Sequence, residues 1–190
     1  MPDRTNTERL RAAVLLAVCF ATAFATRYAG DFEELGTSAR AIGMGGAVVA
    51  AASDPSAIYY NPSRTSGFAR TSVLFLHSED FSGLVKHNYL GASFHSSLQS
   101  IGFAVLHNGI PGIKLTALPD STRPPGPDNR PYVLRLVSVT QVVGYVNYAR
   151  TLSPYVALGG NVKLIYHDLG VGSAFGMGLD IGATLTPMTD

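Results

Sequence analysis

The sequence predicts an all-β fold, and three observations carry this prediction. Apolar and polar residues alternate with a period of two in successive segments after residue 67, which is typical of strands with one apolar face. The links between these segments are alternately long and short, as in barrels with short periplasmic turns and long external loops. Charged residues are 14% of the chain, against about 25% in typical soluble proteins. We therefore expect an incomplete, six-strand portion of an antiparallel outer-membrane β-barrel, preceded by a compact N-terminal segment with a short helix.

Residues 1–25 have the features of a cleavable secretory signal peptide. Arginines precede an apolar stretch at residues 12–20, and Ala23-Phe24-Ala25 fits an A-x-A cleavage site. The alternatives are a short buried helix, or a lipoprotein signal with Cys19 as the lipidated residue. We expect export from the cytoplasm and cleavage after Ala25. Because Cys19 is the single cysteine, the mature chain would have no disulfide and no thiol chemistry.

Residues 26–66 are predicted to form this N-terminal segment. Residues 36–53 are mostly Gly, Ala, Ser and Val, which allow backbone to approach backbone. Gly43, Gly45 and Gly46 also permit φ angles that other residues avoid. We therefore expect a compact, closely packed insert, although these residues alone also fit a Gly/Ala-rich strand–turn–helix in a soluble core.

A short helix is expected at the end of this segment. Asp54-Pro55 has the features of a helix start, with an N-cap carboxylate followed by proline at the first helical position. The helix must end early because Asn61 precedes Pro62, and a residue before proline is disfavoured in the α region.

Two runs in this region, A-R-A-I-G-M-G-G-A-V-V-A (residues 39–50) and D-P-S-A-I-Y-Y-N-P-S (residues 54–63), resemble the N-terminal region of FadL/TodX-like outer-membrane proteins. The closer match is to the PorV/PorQ branch of that superfamily. Residues 146–170 and 175–185 resemble the family as well. The resemblance implies that residues 26–66 form a plug lying inside a β-barrel, closed by an Asn-Pro-Ala signature that is here Asn61-Pro62-Ser63.

Residues 67–190 are predicted to form the barrel strands. The six segments with strand character are 68–78, 87–96, 99–107, 132–150, 155–167 and 174–185. Tight turns are expected near Ser97 and at 151–154, and longer loops at 79–86, 168–173 and the proline-rich segment 108–131. The last two strands alternate a wholly apolar face with a face of glycine and polar residues, which lipid outside and a wet lumen would produce. A soluble sandwich gives a similar alternation, usually with more Lys and Glu on the solvated face.

Lys163 and Asp180 share the lumen-side parity of the last two strands. A turn centred near residue 171 would set them almost opposite each other. The sequence therefore predicts a lumen-facing ion pair across this hairpin.

The sequence contains no recognisable catalytic constellation and no metal-ligating motif, so we expect no enzyme activity, no cofactor and no metal. Gly43-Met44-Gly45-Gly46 has the spacing of a dinucleotide loop, but Val48 replaces the third glycine and no βαβ unit surrounds it. The five histidines are scattered singly and are interpreted as surface residues. The net charge of +1 gives no basic field for nucleic acid.

Three functions remain open at this stage, each placing the protein outside the cytoplasm. The PorV/PorQ resemblance implies an outer-membrane protein that serves type IX secretion, with secretion components or secreted cargo as partners. A FadL-like channel would instead admit long-chain fatty acids or other hydrophobic molecules past the plug. A secreted soluble β-protein with a structural role is the third. Since membrane barrels begin at about eight strands, we expect this six-strand sequence to be a fragment of a longer barrel.

Overall fold

The computed structural model of the chain describes Glu33 and residues 35–186. The predicted signal peptide lies outside the described residues. Within this part, the strands form one antiparallel six-stranded sheet in which each strand pairs with the next along the chain. The strands are β1 Ser72–Asp80, β2 Val85–Ser96, β3 Gln99–Ala117, β4 Tyr132–Ser153, β5 Val156–Asp168 and β6 Ser173–Leu185. The all-β prediction is confirmed, and β1 and β6 are the edges of the described sheet.

Several strands begin or end a few residues away from the positions that the sequence predicts. β1 begins at Ser72 rather than at residue 68, because Phe68 packs with Ala52 and Ala57 in a small buried cluster. The predicted loop at 79–86 shrinks to residues 81–84. β4 likewise continues to Ser153, so the predicted turn at 151–154 is too early.

The prediction of an irregular segment at 108–131 is wrong over its first part. β3 runs on to Ala117 and pairs with β4 beyond the ends of β2 and β5, leaving only residues 118–131 as a loop. The register shifts between Ile110 and Ile113, and Gly112 has φ +72°. A bulge of this kind tolerates Pro111, which has no N–H to give to the sheet.

In the described part of the chain, three short helical elements with defined bounds precede the sheet. They are α1 Ala39–Gly43, α2 Ala57–Tyr60 and a 3₁₀ helix at Pro62–Gly67. α2 is as short as predicted, but it begins three residues after Asp54. Asp54 still serves the approach to the helix, because its Oδ1 accepts the Ser56 N–H at 2.9 Å. Within the described residues, no helix is long and apolar enough to span a membrane.

We call residues 35–67 the plug segment and the sheet face that it covers the inner face. The largest buried cluster joins Ile58 of α2 to inner-face side chains of β2–β5. Its buried members are Ile58, Tyr89, Ala104, Leu106, Val143, Tyr145 and Ile165. The core therefore lies between the plug segment and the sheet, with no second sheet in the described part.

Candidate functional site

Four inner-face glycines form the seat on which the plug segment rests. A Cβ on Gly159 would lie 2.7 Å from the Pro62 carbonyl oxygen and the Ser63 Cα, and one on Gly182 would lie 2.8 Å from Pro62 Cδ. On the same face, nearer the β1 edge of the sheet, a Cβ on Gly102 would lie 2.8 Å from Ile58 Cδ1, and one on Gly91 would lie 3.1 Å from Pro55 Cβ. These glycines are therefore needed for close approach of the plug, not merely for a polar lumen surface.

Asn61, the first residue of the Asn61-Pro62-Ser63 signature, connects three parts of the chain. Its Nδ2 donates to the Val49 carbonyl at 3.1 Å and to the Ala183 carbonyl of β6 at 3.2 Å. Its Oδ1 accepts the Ser63 N–H and hydroxyl. Asn61 is 6% exposed, so all of these bonds form away from bulk water. The signature thus ties the plug segment to the last described strand.

A ladder of buried amides on β4 and β5 holds the same region. Asn147 Nδ2 donates to the Asn161 Oδ1 at 2.8 Å, and Asn147 Oδ1 accepts the Thr65 hydroxyl at 2.8 Å. Asn161 Nδ2 donates to the Ile58 carbonyl at 2.7 Å. The ladder therefore pairs the buried Ile58 carbonyl, as buried polar groups require. It also adds a bond to the Thr65 hydroxyl, which bonds Pro62 and Ser100 as well.

Lys163 and Asp180 lie in contact, with Nζ 3.1 Å from Oδ1. They are diagonal neighbours rather than opposite ones, since Lys163 pairs with Gly178 and Asp180 with Asn161. Lys163 Nζ also lies 3.5 Å from Glu33 Oε2, which accepts the Tyr145 hydroxyl at 2.5 Å. The pair is thus part of a cluster that holds Glu33, just before the plug segment, against β4, β5 and β6.

The interpretation of all five histidines as surface residues is wrong for His87. It is fully buried on the inner face of β2, where its Nε2 donates to the Gly36 carbonyl at 2.5 Å and its Nδ1 contacts Asn108. The alternation along β2 predicts that His87 faces the inner side. Its contact with Gly36 joins the sheet to a distant part of the chain, the plug segment, so no local sequence pattern predicts it.

The glycine run of the plug does not pack as predicted. Gly43, Gly45 and Gly46 are exposed, and a Cβ on any of them would meet nothing within 4 Å. Gly45 and Gly46 have φ of +62° and +81°, whereas Gly43 has no positive φ. Here glycine serves the backbone turn at two positions and close packing at none. Nearby apolar side chains, Leu35, Ile42, Met44 and Val49, are between 41% and 56% exposed.

The outer face of the sheet is organised in rows of directly paired residues. One row, polar or glycine throughout, crosses all strands near the long links: Glu79, Lys86, Gly109, Thr140, Asp168 and Ser173. A second row holds Phe75, Leu90, Val105, Gly144, Leu164 and Met177, and a third holds Val73, Ala92, Phe103, Val146, Val162 and Leu179. Apart from Ala92 and Gly144, every residue of these two rows is at least 47% exposed. Two adjacent apolar rows thus face outward across the sheet.

Among the described residues, no cluster of His, Cys, Asp or Glu could hold a metal ion. A scan against protein-family models and searches of curated proteins and of solved structures found no match to this chain.

Proposed function

We propose that the six strands form part of the wall of an outer-membrane β-barrel, with the plug segment in its lumen and no enzymatic activity. In line with the PorV/PorQ resemblance, we propose that the barrel serves protein secretion of the type IX kind. The observation that carries the membrane assignment is the pair of apolar rows on the outer face. Soluble monomers rarely expose apolar patches of such extent, whereas lipid-facing strands require them.

Two further features support a barrel wall. β5 and β6 are each 13 residues long, and a strand needs about 9–11 residues to cross a membrane. The side of the plug segment turned away from the sheet leaves Ile42, Met44 and Val49 exposed. Additional wall strands, needed because membrane barrels have at least about eight, would cover these side chains.

The membrane assignment is tested by placing a charge on the outer face. Leu179 lies in an apolar row and Ser173 in the polar row of the same strand. If lipid covers the outer face, Leu179→Arg should make folding into lipid vesicles less favourable by about 2–4 kcal/mol, and Ser173→Arg by about 1 kcal/mol or less. The measurement is urea unfolding of the protein in vesicles, with the folded fraction read from heat-modifiable migration on gels.

Equal effects of the two substitutions, or extraction of the wild-type protein from membranes by carbonate, would contradict the assignment and favour the secreted soluble protein. The secretion role has its own test. Deleting the gene should leave cargo with a C-terminal sorting domain inside the cell, and normal release of that cargo would contradict the role.

The second candidate is a FadL-like channel for hydrophobic molecules. The open space around Gly43 favours it, because a passage beside the plug needs unfilled volume. Gly43 can take a side chain without backbone strain, so Gly43→Leu should narrow such a passage and slow fatty-acid uptake. In a secretion protein of the PorV/PorQ kind, the same variant should leave fatty-acid uptake unchanged.

A further inference from the structure

A cavity of about 170 Å³, lined by both polar and apolar residues, lies between the 3₁₀ helix and the ends of β4, β5 and β6. Its walls combine one arginine, Arg64, with several hydroxyl side chains from both the plug segment and the strands. They are Ser63, Ser66, Thr151, Ser153, Thr184 and Thr186. No acidic side chain is among the described residues that line it. The cavity is therefore positive and rich in donors.

Arg64 supplies most of the unused donors. Its side chain is half-buried, and its Nε donates to the Ala52 carbonyl at 3.2 Å. Within the described part of the chain, neither Nη atom has a hydrogen-bond or ion-pair partner. A guanidinium that is partly removed from water without a counter-charge is unfavourable, and an anion in the cavity would relieve this cost.

Two hydroxyls add to this surplus, while the others make the wall rigid. Ser153 Oγ accepts the Tyr155 N–H at 3.2 Å, which leaves its own hydrogen without an acceptor among the described residues. The Thr186 side chain is exposed, and its hydroxyl makes no hydrogen bond to another described residue. By contrast, Ser63 and Thr184 bond each other at 2.7 Å, and Thr151 donates to Ser66 at 3.0 Å. Donors on a pre-ordered wall lose little entropy when a ligand binds.

We propose that this cavity binds a small oxyanion, a phosphate or a carboxylate group, with Arg64 as the charged donor and Ser153 and Thr186 as neutral ones. The planar guanidinium presents paired N–H groups that match two oxygens of either anion. A water molecule occupies about 30 Å³ in the liquid, so the cavity has room for a group of several heavy atoms. This site is independent of the secretion or channel function.

The test is a titration of the full chain, folded in detergent, with inorganic phosphate and separately with acetate at constant ionic strength. Calorimetry should give saturable binding of at least one anion, with a Kd of about 1 mM or lower. Arg64→Gln should raise this Kd at least about tenfold, as expected for loss of a charged hydrogen-bond donor. Arg70→Gln is the matched control, because Arg70 is exposed and does not line the cavity.

The paired variant Ser153→Ala/Thr186→Val keeps Arg64 and guards against a folding defect. It should weaken binding about threefold or more with an unchanged unfolding midpoint. Binding of phosphate alone or of acetate alone would support the site and identify its source of oxyanion. Absence of saturable binding by both anions, or equal losses in Arg64→Gln and Arg70→Gln, would overturn the proposal.

Discussion

The inner and outer faces of the sheet use alternate residues of the same strands, yet they constrain the sequence differently. On the inner face, several positions meet particular atoms of the plug segment, as Gly159 meets Pro62 and Asn161 meets Ile58. On the outer face, Val, Leu, Ile, Phe and Met occupy equivalent row positions and touch only their neighbours in the sheet. The inner-face residues are thus specific for contact with the plug segment, whereas the outer-face rows require only that the side chains be apolar.

Glycine shows this difference most directly. Gly159 on the inner face of β5 has no room for a Cβ, while Gly144 on the outer face of β4 has nothing within 4 Å of one. The same residue type therefore has a packing role on one face and none on the other. Substitutions that compare the two faces should separate these roles.

The largest effect is expected for Gly159→Ala. The added methyl would clash with backbone atoms of Pro62 and Ser63, and backbone yields less readily than a flexible side chain. We expect a loss of about 3 kcal/mol in the free energy of unfolding, at the upper end for overpacking. Gly144→Ala is the control and should change stability by less than about 0.5 kcal/mol. Urea unfolding of both variants measures the difference, and equal losses would mean that the plug does not rest on Gly159.

A smaller loss is expected for Asn61→Ala. The substitution removes the bonds to the Val49 and Ala183 carbonyls and to Ser63, leaving buried polar groups unpaired. This should cost about 2 kcal/mol. On the outer face, Asn88→Ala also breaks contacts, with His77 and His107. These residues form the outer row next to the polar row near the long links, where water at the proposed membrane boundary can replace the lost contacts. If Asn88→Ala were as destabilising as Asn61→Ala, the distinction between the inner face, which packs on the plug segment, and the outer face, which does not, would fail.

The ion cluster at the edge of the inner face should contribute less. Lys163→Met leaves Glu33 and Asp180 without their shared cation, and the three side chains are between 11% and 30% exposed. Partial solvation reduces the expected loss to about 1 kcal/mol at pH 7. Adding Asp180→Asn should recover part of it. A double-mutant cycle by urea unfolding measures the coupling, and strictly additive losses would show that the contact contributes nothing to stability.

The sequence predicted the strands and their faces well because alternation is a local property. Leu90 and Phe103 are outward and Tyr89 and Gly102 inward, as their parity requires. Apart from the contact of Lys163 with Asp180, it did not predict what the inner residues touch, since the contacts of His87 with Gly36 and of Tyr145 with Glu33 join distant parts of the chain.

Proline misled the prediction at Pro111, because a β-bulge satisfied the backbone without ending the strand. Glycine misled it at Gly43, which is exposed rather than packed. In both cases the residue type limits the local backbone conformation, but the tertiary contacts around it decide whether the chain bulges, turns or packs closely there.

The smallest effect is expected in the loop at residues 118–131, which belongs to neither face. Hydrogen bonds from the Thr122 hydroxyl first, then from the Thr122 N–H and Arg123, lower the pKa of the Asp120 carboxyl. A lowered pKa in the folded state stabilises the protein above the unfolded pKa, and this contribution is lost as the pH falls through the folded pKa. Thr122→Val removes the largest cause, so the pKa of Asp120 should rise toward its ordinary value.

An NMR titration of the Asp120 carboxyl measures this shift, with Thr116→Val on the exposed part of β3 as the control. Because the Asp120 side chain is partly exposed to water, we expect the unfolding midpoint at pH 7 to change less than in any variant above. An unchanged pKa of Asp120 in Thr122→Val would assign the lowering to the backbone N–H of residue 122 and to Arg123 instead. A large fall in stability would mean that this loop packs on one of the two faces.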